Sequence, residues 1–247
     1  MNPLQKIIEA FELHAADEIK WCFENGIDPN MVYKGKPLIE ELINMYTRGP
    51  GFKSCIRVFA DHGLDFEDKI LLAVLLDDAA TLDSYLQKDK SLINRSYSFS
   101  CAFTPLYEVS LLHICAEYNH YYCAETLLKH GADVNVKAGI DEHGFGGHTP
   151  IFHTVNQHSN KTMDVMNLLL AHRAELNITV KGLIWGKSYS WETFIPAVNV
   201  ISYAMMGLLP QFQRTERNIY TVISMLLKHQ WGLDYSPPNV PNKYLSS

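Results

Sequence analysis

The chain has 247 residues, 47% hydrophobic and 19% charged, which supplies a continuous core and excludes a disordered polypeptide. A net charge of −6 and a pI near 6.0 lack the clustered Lys and Arg of a polyanion groove, so nucleic acid is not an expected partner. The longest apolar run, Ile70 to Leu76, stops at Asp77 and Asp78, short of the roughly 18 residues of a membrane span.

The opening stretch, Met1 to Trp21, carries acids among its apolar positions, unlike a secretory signal. The expected location is cytoplasmic, with secretion as an effector the alternative. Helical spacing of Ile19, Cys22 and Phe23 starts a first unit, about 4–30, which closes on Gly26-Ile27-Asp28-Pro29-Asn30. A second unit, 36–66, opens at Lys36-Pro37-Leu38-Ile39 and closes on Gly63-Leu64-Asp65-Phe66. A compact helical pair fills 67–94. The fourth unit, 104–135, closes on Gly131-Ala132-Asp133-Val134-Asn135, the clearest copy of the phrase. The fifth, 148–177, ends Arg173-Ala174-Glu175-Leu176-Asn177, and the sixth, 195–235, ends near Gly232-Leu233-Asp234-Tyr235. Glycine ends a helix in the left-handed conformation without a Cβ penalty, and the following Asp and Asn shape the turn. Arg173 stands where the others have glycine, so its helix end is expected to be strained or differently closed.

The five cysteines, Cys22, Cys55, Cys101, Cys115 and Cys123, are odd in number and form no C-x-x-C pair, so they read as reduced thiols in apolar patterns. In the fourth unit, Ser110-Leu111-Leu112-His113-Ile114-Cys115-Ala116-Glu117-Tyr118-Asn119-His120 precedes Leu127-Leu128 and the Gly131 turn. This resembles the ankyrin family, whose repeat opens T-P-L-H-x-A-A-x-x-G-H and closes L-L-x-x-G-A-D-V-N. The fifth unit shares Thr149-Pro150-Ile151 and Leu168-Leu169. The resemblance covers 110–177 well and the rest weakly. It implies an all-α ankyrin-type helix-turn-helix solenoid of about six divergent repeats with long loop insertions, forming one domain over 1–247.

Spacing departs from the family's roughly 33-residue period: Asn94 to Asn135 is 41 residues, Asn135 to Asn177 is 42, and Asn177 to Asp234 is 57. The surplus falls in three insertions, Ser96 to Pro105, Val136 to His148 and Val180 to Ile195, all expected as loops. Trp185, Tyr189, Trp191 and Phe194 in the last insertion suit either a protruding binding element or, preferred here, a lid over the final core layer.

The resemblance implies a protein-binding module with no catalytic residues and no cofactor, acting as an adaptor, inhibitor or effector. Its variable positions map to Ile114, Glu117, Tyr118, His153, Asn156 and Gln157 as the partner-contacting set. The expected partner is another protein, bound by a monomer. His113 is implied to bond locally and tie neighbouring repeats together. Asn135 sits where some ankyrin proteins are hydroxylated, although the turn itself also requires these residues.

His143, His148, His153 and His158 recur every fifth residue, which matches neither the i, i+4 helical pair nor a fixed Cys/His ligand pattern. Surface or capping roles are expected and no metal site. No nucleophile elbow, Walker loop or dinucleotide fingerprint is present. The alternative function is a small hydrolase or metal-dependent enzyme using 143–158 or the divergent C-terminal part. A third reading is a structural module with no partner.

Overall fold

In a computed structural model, residues 2–100, 104–206 and 214–236 are described. Twelve α-helices are found among them. They are α1 (Pro3–Leu13), α2 (Ala16–Glu24), α3 (Leu38–Ile43), α4 (Phe52–Asp61), α5 (Lys69–Leu75), α6 (Ala79–Lys88), α7 (Leu111–Tyr118), α8 (Tyr121–Lys129), α9 (Phe152–Val155), α10 (Met163–Ala171), α11 (Val200–Met205) and α12 (Glu216–Trp231).

Local chemistry sets many of their ends. The Asn2 side chain accepts the Leu4 N–H at 3.0 Å, with Pro3 in the first turn. Asp68 and Asp78 cap α5 and α6 through the N–H groups of Leu71 and Thr81. Capping boxes open α7, from Ser110 and His113, and α11, from Asn199 and Ser202. At the closing turns Gly26, Gly63 and Gly131 have φ of +98°, +86° and +92°, as their chemistry demands. Arg173 carries φ +65°, so its backbone takes the left-handed form despite its Cβ.

The helices pack in sequential pairs, α1 on α2, α5 on α6, α7 on α8 and α11 on α12. Neighbouring pairs join through α2–α4, α5–α7, α6–α8, α7–α9, α8–α10 and α9–α11. Buried Leu, Ile and Phe side chains fill these interfaces, among them Phe11, Phe59, Leu82, Leu127, Phe152 and Leu169. Cys115 and Ala116, both fully buried, let α7 approach its neighbours closely. Cys22, Cys55, Cys115 and Cys123 are buried free thiols; Cys101 lies outside the described residues.

The architecture is mixed α and β, which corrects the expectation of an all-α solenoid. Among the described residues, three two-stranded antiparallel sheets accompany the helices: β1 (Val32–Tyr33) with β2 (Lys36–Pro37), β3 (Ser96–Phe99) with β4 (Leu106–Ser110), and β5 (Val180–Trp185) with β6 (Thr193–Val198). The β3–β4 register runs from Ser96↔Ser110 to Phe99↔Leu106 with an irregularity between Tyr97 and Phe99. The β5–β6 register runs from Val180↔Val198 to Trp185↔Thr193. Two of the three insertions expected as loops therefore build hairpins. Their β-branched and aromatic residues favour strands, while Gly182 and Pro196 interrupt the alternation that would have announced them.

Turns of adjacent units are tied by asparagine. Asn30 donates to the Gly63 carbonyl at 2.9 Å and accepts the Asp65 N–H at 2.7 Å, and Asn135 accepts the Glu175 N–H at 2.8 Å. The Asn that ends the phrase thus bonds the backbone of the next turn.

Candidate functional site

The second insertion packs between the two longer hairpins and completes a groove. Gly139 N–H donates to the Tyr107 carbonyl at 3.0 Å, and Gly146 N–H to the Gly182 carbonyl at 2.9 Å, so residues 139–146 bridge β4 and β5. Only glycine permits this approach: a Cβ on Gly139 would lie 2.6 Å from Glu108 Cβ, and one on Gly146 would lie 2.3 Å from the Gly139 oxygen. Asp141 fixes the loop tip by accepting the N–H groups of His143 and Phe145, with Lys187 at 3.6 Å. Burial raises the Asp141 carboxyl, but these bonds and Lys187 outweigh it and hold the group below its usual range.

The groove so formed measures about 260 Å³ and is walled by Phe99, Leu106, Tyr107, Phe145, Ile184 and Tyr189. Of its lining, Tyr107 and Tyr189 face solvent, 46% and 48% exposed, and on the adjoining loop and strand Ile140 and Phe194 are 58% and 51% exposed. Phe194 lies against Phe145 with ring centroids 4.8 Å apart, and Tyr189 stacks on Trp191 at 5.4 Å. Trp185 instead turns inward, buried, and donates its indole N–H to the Tyr203 hydroxyl at 2.7 Å. The aromatic insertion therefore divides, with Trp185 on the core and Tyr189 and Phe194 outside it.

Behind the groove lies a chain of buried polar groups. Arg48 Nε donates to Glu117 Oε1 at 2.7 Å, and His153 Nδ1 bonds Glu117 Oε2 at 2.8 Å. His153 Nε2 lies 3.1 Å from His148 Nε2, while His113 Nε2 lies 3.1 Å from the His148 carbonyl. His113 Nδ1 closes the chain on Ser110, 2.9 Å from its hydroxyl and 3.2 Å from its N–H. The donor order assigns tautomers. Bonding to a carboxylate puts a proton on His153 Nδ1, and the close contact of its Nε2 with His148 Nε2 needs one proton between the two nitrogens. His113 donates from Nε2 and accepts at Nδ1. His148 Nδ1 is buried beside the Pro105 carbonyl.

Burial sets the charge states. Desolvation lowers His113 to about 3, with nearby His153 adding to the effect, and pushes His148 well below the ordinary histidine value. Burial alone would raise the Glu117 carboxyl, but Arg48 and His153 prevail and hold it below the usual range. Arg48 is anchored further by the Met45 and Thr47 carbonyls, and its guanidinium lies 4.6 Å over the Tyr118 ring. Tyr118 stacks on Phe52 and donates its hydroxyl to the Ile43 carbonyl at 2.7 Å.

These contacts relocate the six residues read as partner contacts. Ile114, Glu117, Tyr118 and His153 are buried, and only Asn156 and Gln157 are part-exposed. Gln157 donates to Glu117 at 3.3 Å, and Asn156 accepts from Arg214 at 3.4 Å. The positions that vary in the repeat here face neighbouring units. His148 and His153, expected at the surface, are buried within the chain of polar groups, whereas His143 and His158 are exposed. His113 ties units together as its resemblance implied, through the His148 carbonyl. Sequence reasoning missed Arg48, which lies 69 residues from Glu117 in an unremarked loop. It also missed Tyr107 and Ile140, for which the strand pattern of 106–110 and the glycines of 139–147 were the available signals. Among the described residues, no group of three or more His, Cys, Asp and Glu side chains is placed to hold a metal ion, and no helix is long and apolar enough to cross a membrane.

Comparison with known families places an ankyrin repeat at residues 107–138, which span β4, α7, α8 and the turn through Asn135. No curated protein matches the chain.

Proposed function

We propose that this protein is a monomeric cytoplasmic adaptor that binds another protein along the groove between its two longer hairpins. An ankyrin repeat is a protein-interaction unit rather than a catalytic one, and β4 of the matched repeat forms one wall of this groove. The observation that carries the reading is the pair of half-exposed tyrosines, Tyr107 and Tyr189, lining a preformed concavity, with exposed Ile140 and Phe194 on the adjoining loop and strand. Aromatic anchors flanking a pocket are the side chains from which interfaces draw most of their affinity. Glycine-pinned packing of the 139–146 loop holds them in place before binding, which lowers the ordering cost on association.

The test is photo-crosslinking from position 107 in the native cell, followed by binding of the purified captured protein. The pair Tyr107→Ala and Tyr189→Ala should weaken that binding by about 100-fold with an unchanged thermal midpoint. Leu13→Ala, at an exposed residue of α1, serves as the control and should bind normally. Equal binding by the tyrosine pair variant would reject the groove as the contact face.

A further inference from the structure

A second concavity lies where the loop 44–51 meets the C-terminal end of α7 and the segment 157–162. It measures about 220 Å³, and Arg48, Gly49, Lys53, Glu117, Gln157 and Lys161 are among its walls. Its chemistry is rich in donors and poor in free acceptors. Glu117 already receives Arg48, His153 and Gln157. Asp77, the other nearby carboxylate, takes Lys53 at 3.2 Å and the Cys123 N–H at 3.0 Å. Lys161 donates to the Arg48 carbonyl at 3.1 Å and, among the described residues, joins no ion pair.

Two nitrogens converge on the Gly49 turn. A Cβ at Gly49 would lie 3.4 Å from His14 Nδ1 and 3.9 Å from Lys161 Nζ, so the glycine leaves a small gap between them. His14 is lowered to about 4, mainly by burial and further by Arg48 and Lys161, and its Nε2 is buried with no partner. A surplus positive potential in a chain of net charge −6 marks a place for a negative group. Next to this corner, a cavity of about 180 Å³ shares Arg48, Gln157 and Lys161 and adds the aromatic walls Tyr46, Trp185 and Tyr203.

We propose that this double cavity binds an acidic peptide segment of a protein partner, Lys161 taking a carboxylate beside Gly49 while the aromatic part receives the neighbouring apolar side chain. The proposal rests on the reading of the chain as a protein-binding module but uses residues separate from the hairpin groove. Charge complementarity selects the occupant: the corner offers an ammonium that, among the described residues, joins no ion pair, and the adjoining walls offer apolar area.

The experiment is fluorescence anisotropy on the full chain with a fluorescein-labelled peptide, Gly-Ser-Glu-Phe-Glu-Phe-Ser-Gly, and its Gln-for-Glu counterpart. Binding of the Glu peptide is expected, weakened about tenfold or more by the Gln exchange and equally by Lys161→Glu, a change at an exposed side chain. Saturation should also make the His14 ring more basic, seen by NMR titration, because the incoming carboxylate offsets Arg48 and Lys161. The Tyr107→Ala and Tyr189→Ala pair should bind this peptide normally, which separates the two sites. Indifference to the Gln exchange or to Lys161→Glu would overturn the proposal. So would no binding at all, an outcome that leaves the crosslinking test of the hairpin groove unaffected. Inorganic phosphate binding as tightly as the peptide would overturn it in favour of a small-anion site.

Discussion

The helical block from α7 to α10 hides polar side chains, whereas the hairpin edge beside it displays aromatic ones. Arg48, Glu117, His113, His148 and His153 are all buried, while Tyr107, Tyr189 and Phe194 are about half exposed. The contrast inverts the usual assignment of charge to the surface and rings to the core. It arises from partners. Arg48, Glu117, His113 and His153 each find a bond in another unit, which compensates their desolvation, while the His148 ring bonds His153 within its own unit. On the edge, short strands and a glycine loop offer one packed face, and residues of the opposite face have nothing to cover them. Burial in this molecule is thus decided by which unit stands opposite, and residue type alone is a poor guide.

Breaking the polar side of the comparison should have the largest effect. Glu117→Ala leaves the Arg48 guanidinium buried beside His153 without its counter-charge, a loss of about 3–5 kcal/mol by urea denaturation. A loss below about 1 kcal/mol would show the network to be peripheral.

Acid attacks the same block without mutation. His113, lowered to about 3, and His120, lowered to about 4, are held neutral mainly by burial, as is His148. The unfolded chain takes up these protons near the ordinary value of 6.5, so their contribution is complete above that pH and is lost as pH falls toward 4. The thermal midpoint should drop by roughly 10 °C between about pH 7.5 and about pH 5. The hairpin pair Tyr107→Ala and Tyr189→Ala should leave that pH dependence intact, because neither tyrosine touches the histidines. A flat profile would contradict the buried arrangement.

Smaller effects test the turns that position both regions. Gly131→Val meets open space within 4 Å, so its cost is the left-handed backbone alone, about 1–2 kcal/mol in a melting experiment. Arg173→Gly, at φ +65°, should do the reverse and gain about 0.5–1 kcal/mol. Equal responses at both positions would mean that the two helix ends are not equivalent copies.

Sequence made the helical block readable because its signature residues act on their own backbone. Gly131 ends α8, Ser110 and His113 cap α7, and Leu127 packs the pair, so each leaves a mark at fixed spacing. The hairpins left weaker marks. Val180 to Trp185 contains Gly182, and Thr193 to Val198 contains Pro196, so neither strand shows clean alternation. The direction a side chain faces was the least legible property. Glu117 and Tyr118 occupy variable positions of the repeat, yet the 44–51 loop covers them, and nothing in the local pattern indicates a cover from so far upstream. The groove shared this fate, since it needs two hairpins and an intervening loop from three stretches of chain.

The bond between Arg48 and Glu117 also bears on how the protein is made. Ribosomes deliver the N-terminal end first, and this clasp joins groups 69 residues apart, so α1 to α4 must leave the exit tunnel with the guanidinium still wet. The Tyr118 hydroxyl, which reaches back 75 residues to Ile43, arrives in the same short interval. The emergence of α7 is therefore the first point in synthesis at which these two long-range bonds can close.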